Sequence, residues 1–185
     1  MGYGAVVPRI YLAHGASGSA ASMAAWVEGL RARGFEASAV QLPRRKAEDA
    51  VTAYADQVPD EPGVVIGGHS FGGRVASLAV AGVGSAGARD NPYAGLVCLS
   101  YPLHRPGAPE TAAARTAHWS SIRVPALLLS GRADPFARID LLEASMAALA
   151  AGTLVTYPRL GHTLKAVQAD ALDRIAEFLT ALDPG

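Results

Sequence analysis

The sequence predicts an α/β protein, a three-layer sandwich on a mostly parallel, six-stranded sheet. Three observations carry this. Six short apolar runs, at 8–13, 36–41, 63–68, 95–101, 124–130 and 152–157, alternate with segments of helical spacing. Several runs are nearly continuous in Val, Leu and Ile, as strands covered on both faces are. Strands separated by helical segments of this kind join in parallel through right-handed crossovers.

The elements follow in order. Pro8-Arg9-Ile10-Tyr11-Leu12-Ala13 is the first run, and His14-Gly15-Ala16 closes it. Met23, Trp26, Val27 and Leu30 then recur at helical spacing, with Gly34 as the C-terminal stop. The second run leads to Arg44-Arg45-Lys46, a charge run that reads as a solvated face or as an attractor for an anionic substrate. The third, Val64-Val65-Ile66, enters Gly68-His69-Ser70-Phe71-Gly72, and Phe71 to Ala81 is a Pro-free helical segment. The fourth, Leu96-Val97-Cys98-Leu99, places the lone cysteine in a buried strand with no redox role.

The segment 102–121, with three prolines and Ala112-Ala113-Ala114, is the longest irregular stretch. It is long enough for a rim or a short helix and too short for a lid domain, so a shallow, open pocket is expected. Val124 to Ser130 runs into Gly131-Arg132-Ala133-Asp134-Pro135, and Ile139, Leu142, Met146 and Leu149 follow at helical spacing. Thr153 to Tyr157 runs into Pro158-Arg159-Leu160-Gly161-His162. The last helix carries Val167, Ala171, Ile175, Phe178, Leu179 and Leu182 on one stripe and ends at Asp183-Pro184-Gly185.

At 185 residues, half of them apolar and 17% charged, the chain is expected to be one globular domain spanning 1–185. Sixteen basic residues balance sixteen acidic ones, which speaks against a nucleic-acid partner. No apolar stretch reaches the ~20 residues that cross a bilayer, so no membrane partner is expected. A single cysteine and no signal-like start point to the cytoplasm. The five histidines are scattered, so no metal site is expected, and Gly15-Ala16-Ser17-Gly18 lacks the spacing of a dinucleotide loop. No cofactor is called for.

A serine between a strand and a helix, with glycine two residues before and two after, sits in a cramped bend that exposes its hydroxyl. Such a serine needs a base to take its proton and a carboxylate to hold that base in one tautomer. Asp134 and His162 each stand just past a later strand. In a parallel sheet all three loops emerge at one edge, so Ser70, Asp134 and His162 are expected to converge there. Asp134 also suits a turn or helix cap, and the two roles can coincide. His69 is expected to pack away from the serine, and Arg74 to brace neighbouring loops.

With these residues assembled, the chain resembles the α/β-hydrolase superfamily. It is similar to small, lidless members related to the dienelactone-hydrolase group and to the hydrolase-like domain of testis-expressed and chromatin-complex subunit proteins. The resemblance rests on Leu12-Ala13-His14-Gly15-Ala16, Gly68 to Arg74, Tyr101-Pro102-Leu103-His104, Gly131 to Pro135 and Gly161-His162. It implies a minimal hydrolase fold without a cap domain and without the early antiparallel strands of full-size members. It also implies an oxyanion hole from the amides of Phe71 and Ala16. His14, Tyr101 and His104 are candidate substrate contacts, although His104 could equally tie down the Arg105-Pro106-Gly107 loop.

The expected activity is serine-dependent cleavage of a small-molecule carboxylic ester or thioester through an acyl-serine, by a monomer or homodimer. A non-catalytic interaction module on the same fold, or an acyltransferase using the same three residues, are the alternatives.

Overall fold

A computed structural model describes residues 8–84 and 92–182. Its strands are β1 (Arg9–Ala13), β2 (Glu36–Val40), β3 (Val64–His69), β4 (Gly95–Leu99), β5 (Ala126–Gly131) and β6 (Gly152–Tyr157). They form one sheet in the order β2-β1-β3-β4-β5-β6, and every neighbouring pair is parallel. The sheet is therefore wholly parallel among the described residues, where the sequence predicts a mostly parallel one. Ser100 ends β4 before the apolar run does, because its φ of 52° takes the chain out of extended geometry.

The helices are α1 (Ala24–Arg31), α2 (Ala47–Ala55), α3 (Phe71–Val80), α4 (Ala112–Thr116), α5 (Ile139–Ser145) and α6 (Gln168–Ala181). Strand alternation divides the core between two faces. Ile10, Leu12, Val65, Val97, Leu99, Leu127 and Leu129 pack under α1 and α6. Val64, Ile66, Leu96, Cys98, Ala126 and Leu128 pack under α2, α3 and α5. A continuous apolar run with partners on both sides is what the strand composition requires.

Tyr54 ties α2 to the sheet. Its buried hydroxyl donates to the Tyr11 carbonyl at 2.7 Å and accepts the Gly67 amide at 3.0 Å. Gly34, with φ of 88°, stops α1 as its position predicts. The helix after Asp134 is shorter than its apolar spacing suggests. It tightens to a 3₁₀ turn at Met146–Ala148, and Leu149 beyond it is extended. Segment 102–121 also does more than rim the sheet: α4 and two 3₁₀ turns set Ala112 and Trp119 into the core. The Asp183-Pro184-Gly185 ending lies outside the described residues.

Among the described residues no helix is long and apolar enough to cross a membrane. The order of strands places a topological switch at β1 and β3, whose following helices lie on opposite faces. The crevice beyond their C-terminal ends is where such sheets bind ligands.

Candidate active site

Ser70 stands at that switch, between β3 and α3, with φ 51° and ψ −114°. A non-glycine residue in this region is strained and persists only where its surroundings fix it. They do so here. The Ser70 amide donates to Leu99 O at 2.8 Å, and Arg74 N returns to Ser70 O at 3.1 Å. The flanking glycines admit the end of β1. A Cβ on Gly68 would stand 2.4 Å from the Ala13 carbonyl oxygen, and one on Gly72 2.3 Å from the same atom.

Asp134 follows β5 and is both turn former and hydrogen-bond acceptor. Its backbone carbonyl accepts from Ala137 N at 3.2 Å, and its Oδ1 accepts from Phe136 N at 2.8 Å. Its side chain is fully buried. The loop after β6 carries His162 over this carboxylate. His162 Nδ1 lies 2.8 Å from Asp134 Oδ2 and 3.0 Å from Oδ1, and Nε2 lies 2.8 Å from Ser70 Oγ. With the Nδ1 proton held by the carboxylate, Nε2 is left bare toward the serine hydroxyl. The three side chains form one chain of hydrogen bonds across three loops. Among its atoms, proton transfer from Oγ to Nε2 needs no rearrangement.

The cleft beside Ser70 encloses about 520 Å³. The loop after β1 (residues 15–18), Met23 and Trp26, His69, Phe136 and residues 162–165 line it. Among the described residues no Asp or Glu lines the cleft, and Lys165 is its one Lys or Arg. Ala16 is exposed in this wall. Among the described residues neither Ala16 N nor Phe71 N donates to a backbone carbonyl; Ala16 lines the cleft, and Phe71 opens α3 directly after Ser70.

The other sequence expectations fare differently. His14, Tyr101 and His104 are buried, none lines the cleft, and their polar atoms are used within the fold. His14 Nδ1 lies 2.7 Å from Gly15 O, and its Nε2 accepts the Leu42 amide at 3.0 Å. Tyr101 donates to Arg115 O at 2.7 Å. His104 Nδ1 lies 2.8 Å from Arg105 O, and its Nε2 accepts the Arg138 amide at 2.9 Å, which ties its loop to the start of α5. The expected substrate contacts are not available to these three in this arrangement, because local position could not show which way each ring turns. Arg74 pairs with Glu48, as a bracing residue does, and Arg44, Arg45 and Lys46 lie exposed beyond β2.

Two contributors were not legible in the sequence. Phe136 lays its ring against His162, with centroids 4.4 Å apart. His69 does more than pack: it lines the cleft, its Nε2 donates to the His162 carbonyl at 3.2 Å, and the two rings lie 5.4 Å apart. Burial lowers the His69 pKa, which keeps the ring neutral. Both contacts arise because the loop after β6 folds back over the elbow, and no local pattern encodes that.

A second serine–histidine contact, Ser77 Oγ to His118 Nε2 at 2.8 Å, is of another kind. Ser77 is buried, it donates to Arg74 O at 2.8 Å, and neither residue lines the cleft. Burial, with the nearby Arg74 cation, lowers the His118 pKa to about 4, so it is a poor base at neutral pH.

Solved structures share this architecture at low identity. A monoacylglycerol lipase of Paleococcus ferrophilus superposes with a TM-score of 0.78 at 15% identity, covering 95% of this chain and 96% of that one. An esterase of Pyrococcus furiosus gives 0.72 at 17%, covering 96% and 82%. The thioesterase domain from the curacin biosynthetic pathway gives 0.67 at 13%, covering 96% and 92%. At such identities the likeness speaks to the fold alone. The family model described as an alpha/beta hydrolase domain matches residues 7–180, and with nearly the whole chain matched the protein belongs to that family.

Proposed function

We propose that the protein is a serine hydrolase acting on a carboxylic ester or thioester. The observation that carries this is the unbroken hydrogen-bond chain from Ser70 Oγ through His162 to the buried Asp134, opening on a cleft. In this reading Ser70 Oγ attacks the substrate carbonyl while His162 Nε2 takes its proton, and Asp134 stabilises the imidazolium. The amides of Phe71 and Ala16 receive the developing oxyanion, and loss of one such donor costs about 3 kcal/mol of transition-state stabilisation. His162 passes the proton to the leaving alcohol or thiol, then activates water to release the acyl group. Membership of an alpha/beta hydrolase family supports hydrolysis, and the ester and thioester classes follow from the acyl-serine chemistry proposed here. The small cleft, with no cap over it among the described residues, favours short to medium acyl chains. The buried, unpaired Cys98 suits a reducing compartment, and we assign the protein to the cytoplasm.

The test is turnover of p-nitrophenyl esters and acyl thioesters of graded chain length by the wild type and by Ser70→Ala. The reading expects hydrolysis that Ser70→Ala abolishes. Turnover by Ser70→Ala equal to wild type would overturn it, and acyl transfer to an added alcohol or amine in place of water would make the protein an acyltransferase.

A further inference from the structure

We infer that His69 is a positioning residue, which holds the His162 imidazole at the Ser70 hydroxyl by donating a hydrogen bond from its Nε2 to the main-chain carbonyl of His162. This rests on the proposed serine mechanism. The loop that carries His162 is anchored on its Asp134 side by backbone: Arg132 N donates to Tyr157 O and Ala133 N to Leu160 O, both at 2.9 Å. The Gly131 backbone also lies against Leu160 and Gly161 on that side. Toward Ser70 there is no such ladder among the described residues. There the link besides the Nε2–Oγ bond itself is His69, which donates from the last residue of β3 to His162 O at 3.2 Å. Because His69 is joined covalently to Ser70, its bond fixes the His162 backbone relative to the nucleophile's own strand.

The proton count agrees. Donation to a carbonyl requires the proton on Nε2, which leaves Nδ1 of the neutral ring bare. That bare nitrogen faces Gly15, where an added Cβ would stand 3.0 Å away, tight enough to press on the ring. Gly15 and His69 therefore form one arrangement: the loop after β1 stays without a side chain where the ring must lie. Burial lowers the His69 pKa and holds it in this neutral form. A protonated His69, with its ring 5.4 Å from that of His162, would oppose the imidazolium that His162 must become.

The experiment compares His69→Gln, whose side-chain N–H can reach the place of Nε2, with His69→Met, of similar length and no donor. Melting curves establish that each is folded, and kcat and KM are measured on the ester that the wild type turns over best. The downfield proton NMR resonance of the His162–Asp134 hydrogen bond is recorded for each. The expected result is a loss of kcat of roughly 10- to 100-fold in His69→Met with KM within about twofold, as misplacement of a catalytic group produces. His69→Gln should recover most of that loss and keep the downfield resonance, which should broaden or vanish in His69→Met. Equal kcat in the two variants, whether both retained or both lost, would overturn the proposal, since a packing role makes no distinction by donor. Failure of the serine mechanism is separate, because it appears as Ser70-independent turnover in the wild-type background.

Discussion

The Leu160 carbonyl oxygen lies 2.1 Å from the point that a Cβ on Gly131 would occupy, and the Gly161 oxygen 2.4 Å from it. The last residue of β5 is thus side-chain-free so that the loop after β6 can lie directly on it and bring His162 over Asp134. Gly131→Ala must push this backbone away, since no flexible side chain stands there to yield. The expected outcome is a kcat lowered by about 10- to 100-fold together with a stability loss of about 1–3 kcal/mol, since strand or loop backbone must move. Steady-state kinetics beside a melting curve check it.

Ser70 stores strain in a backbone that glycine adopts freely. Ser70→Gly should abolish turnover and stabilise the fold by about 1 kcal/mol, whereas Ser70→Ala should abolish turnover with little change in stability. Denaturant titration of the three proteins distinguishes these outcomes. Equal stability of the Ala and Gly variants would mean that the strain is no larger than the extra chain entropy glycine loses on folding, about 0.5–1 kcal/mol.

Removing the Tyr54 hydroxyl takes away a buried donor to the Tyr11 carbonyl, the bond that ties α2 to the sheet. Tyr54→Phe should therefore cost about 0.5–1.5 kcal/mol of folding stability. It should leave KM unchanged, because the contact lies within the sheet and not in the cleft. Urea unfolding and ester kinetics on the same preparation test both halves.

His118 sets a pH dependence of stability. Its folded pKa is lowered, first by burial and then by Arg74, from the usual 6.5 to about 4. Between those values the unfolded chain binds the extra proton, so stability rises with pH through this window and is lost as pH falls from 6.5 toward 4. His118→Gln removes the titration. The difference in melting temperature between wild type and variant should shift in the variant's favour across that window, and a constant difference would contradict the assignment.

How far the sequence could be read depended on the range of the interaction. Strand positions and the three loops at one edge follow from local apolar runs and from the parallel rule, so Ser70, Asp134 and His162 could be brought to one place on paper. The glycines at 68 and 72 were legible as demands of a tight bend, though the atom they make room for, Ala13 O, belongs to another strand. Ring orientation was not legible. His14 and His104 stand at strand ends facing the site edge, but each turns inward to accept a backbone amide, from Leu42 and Arg138. The direction of the His69 ring escapes local reading for the complementary reason: its partner, the carbonyl of His162, comes from far along the chain. The helix after Asp134 looked longer because its apolar spacing continues through a 3₁₀ turn that local pattern does not distinguish.

The central claim is that Ser70 is a nucleophile activated by His162. Labelling of the purified protein with a fluorophosphonate, with the modified peptide identified by mass spectrometry, tests it most directly. The account predicts stoichiometric labelling at Ser70 in the wild type, loss of labelling in Ser70→Ala, and labelling slowed at least tenfold in His162→Ala. A folded wild-type protein that takes no label, or one labelled as fast without His162, would contradict it.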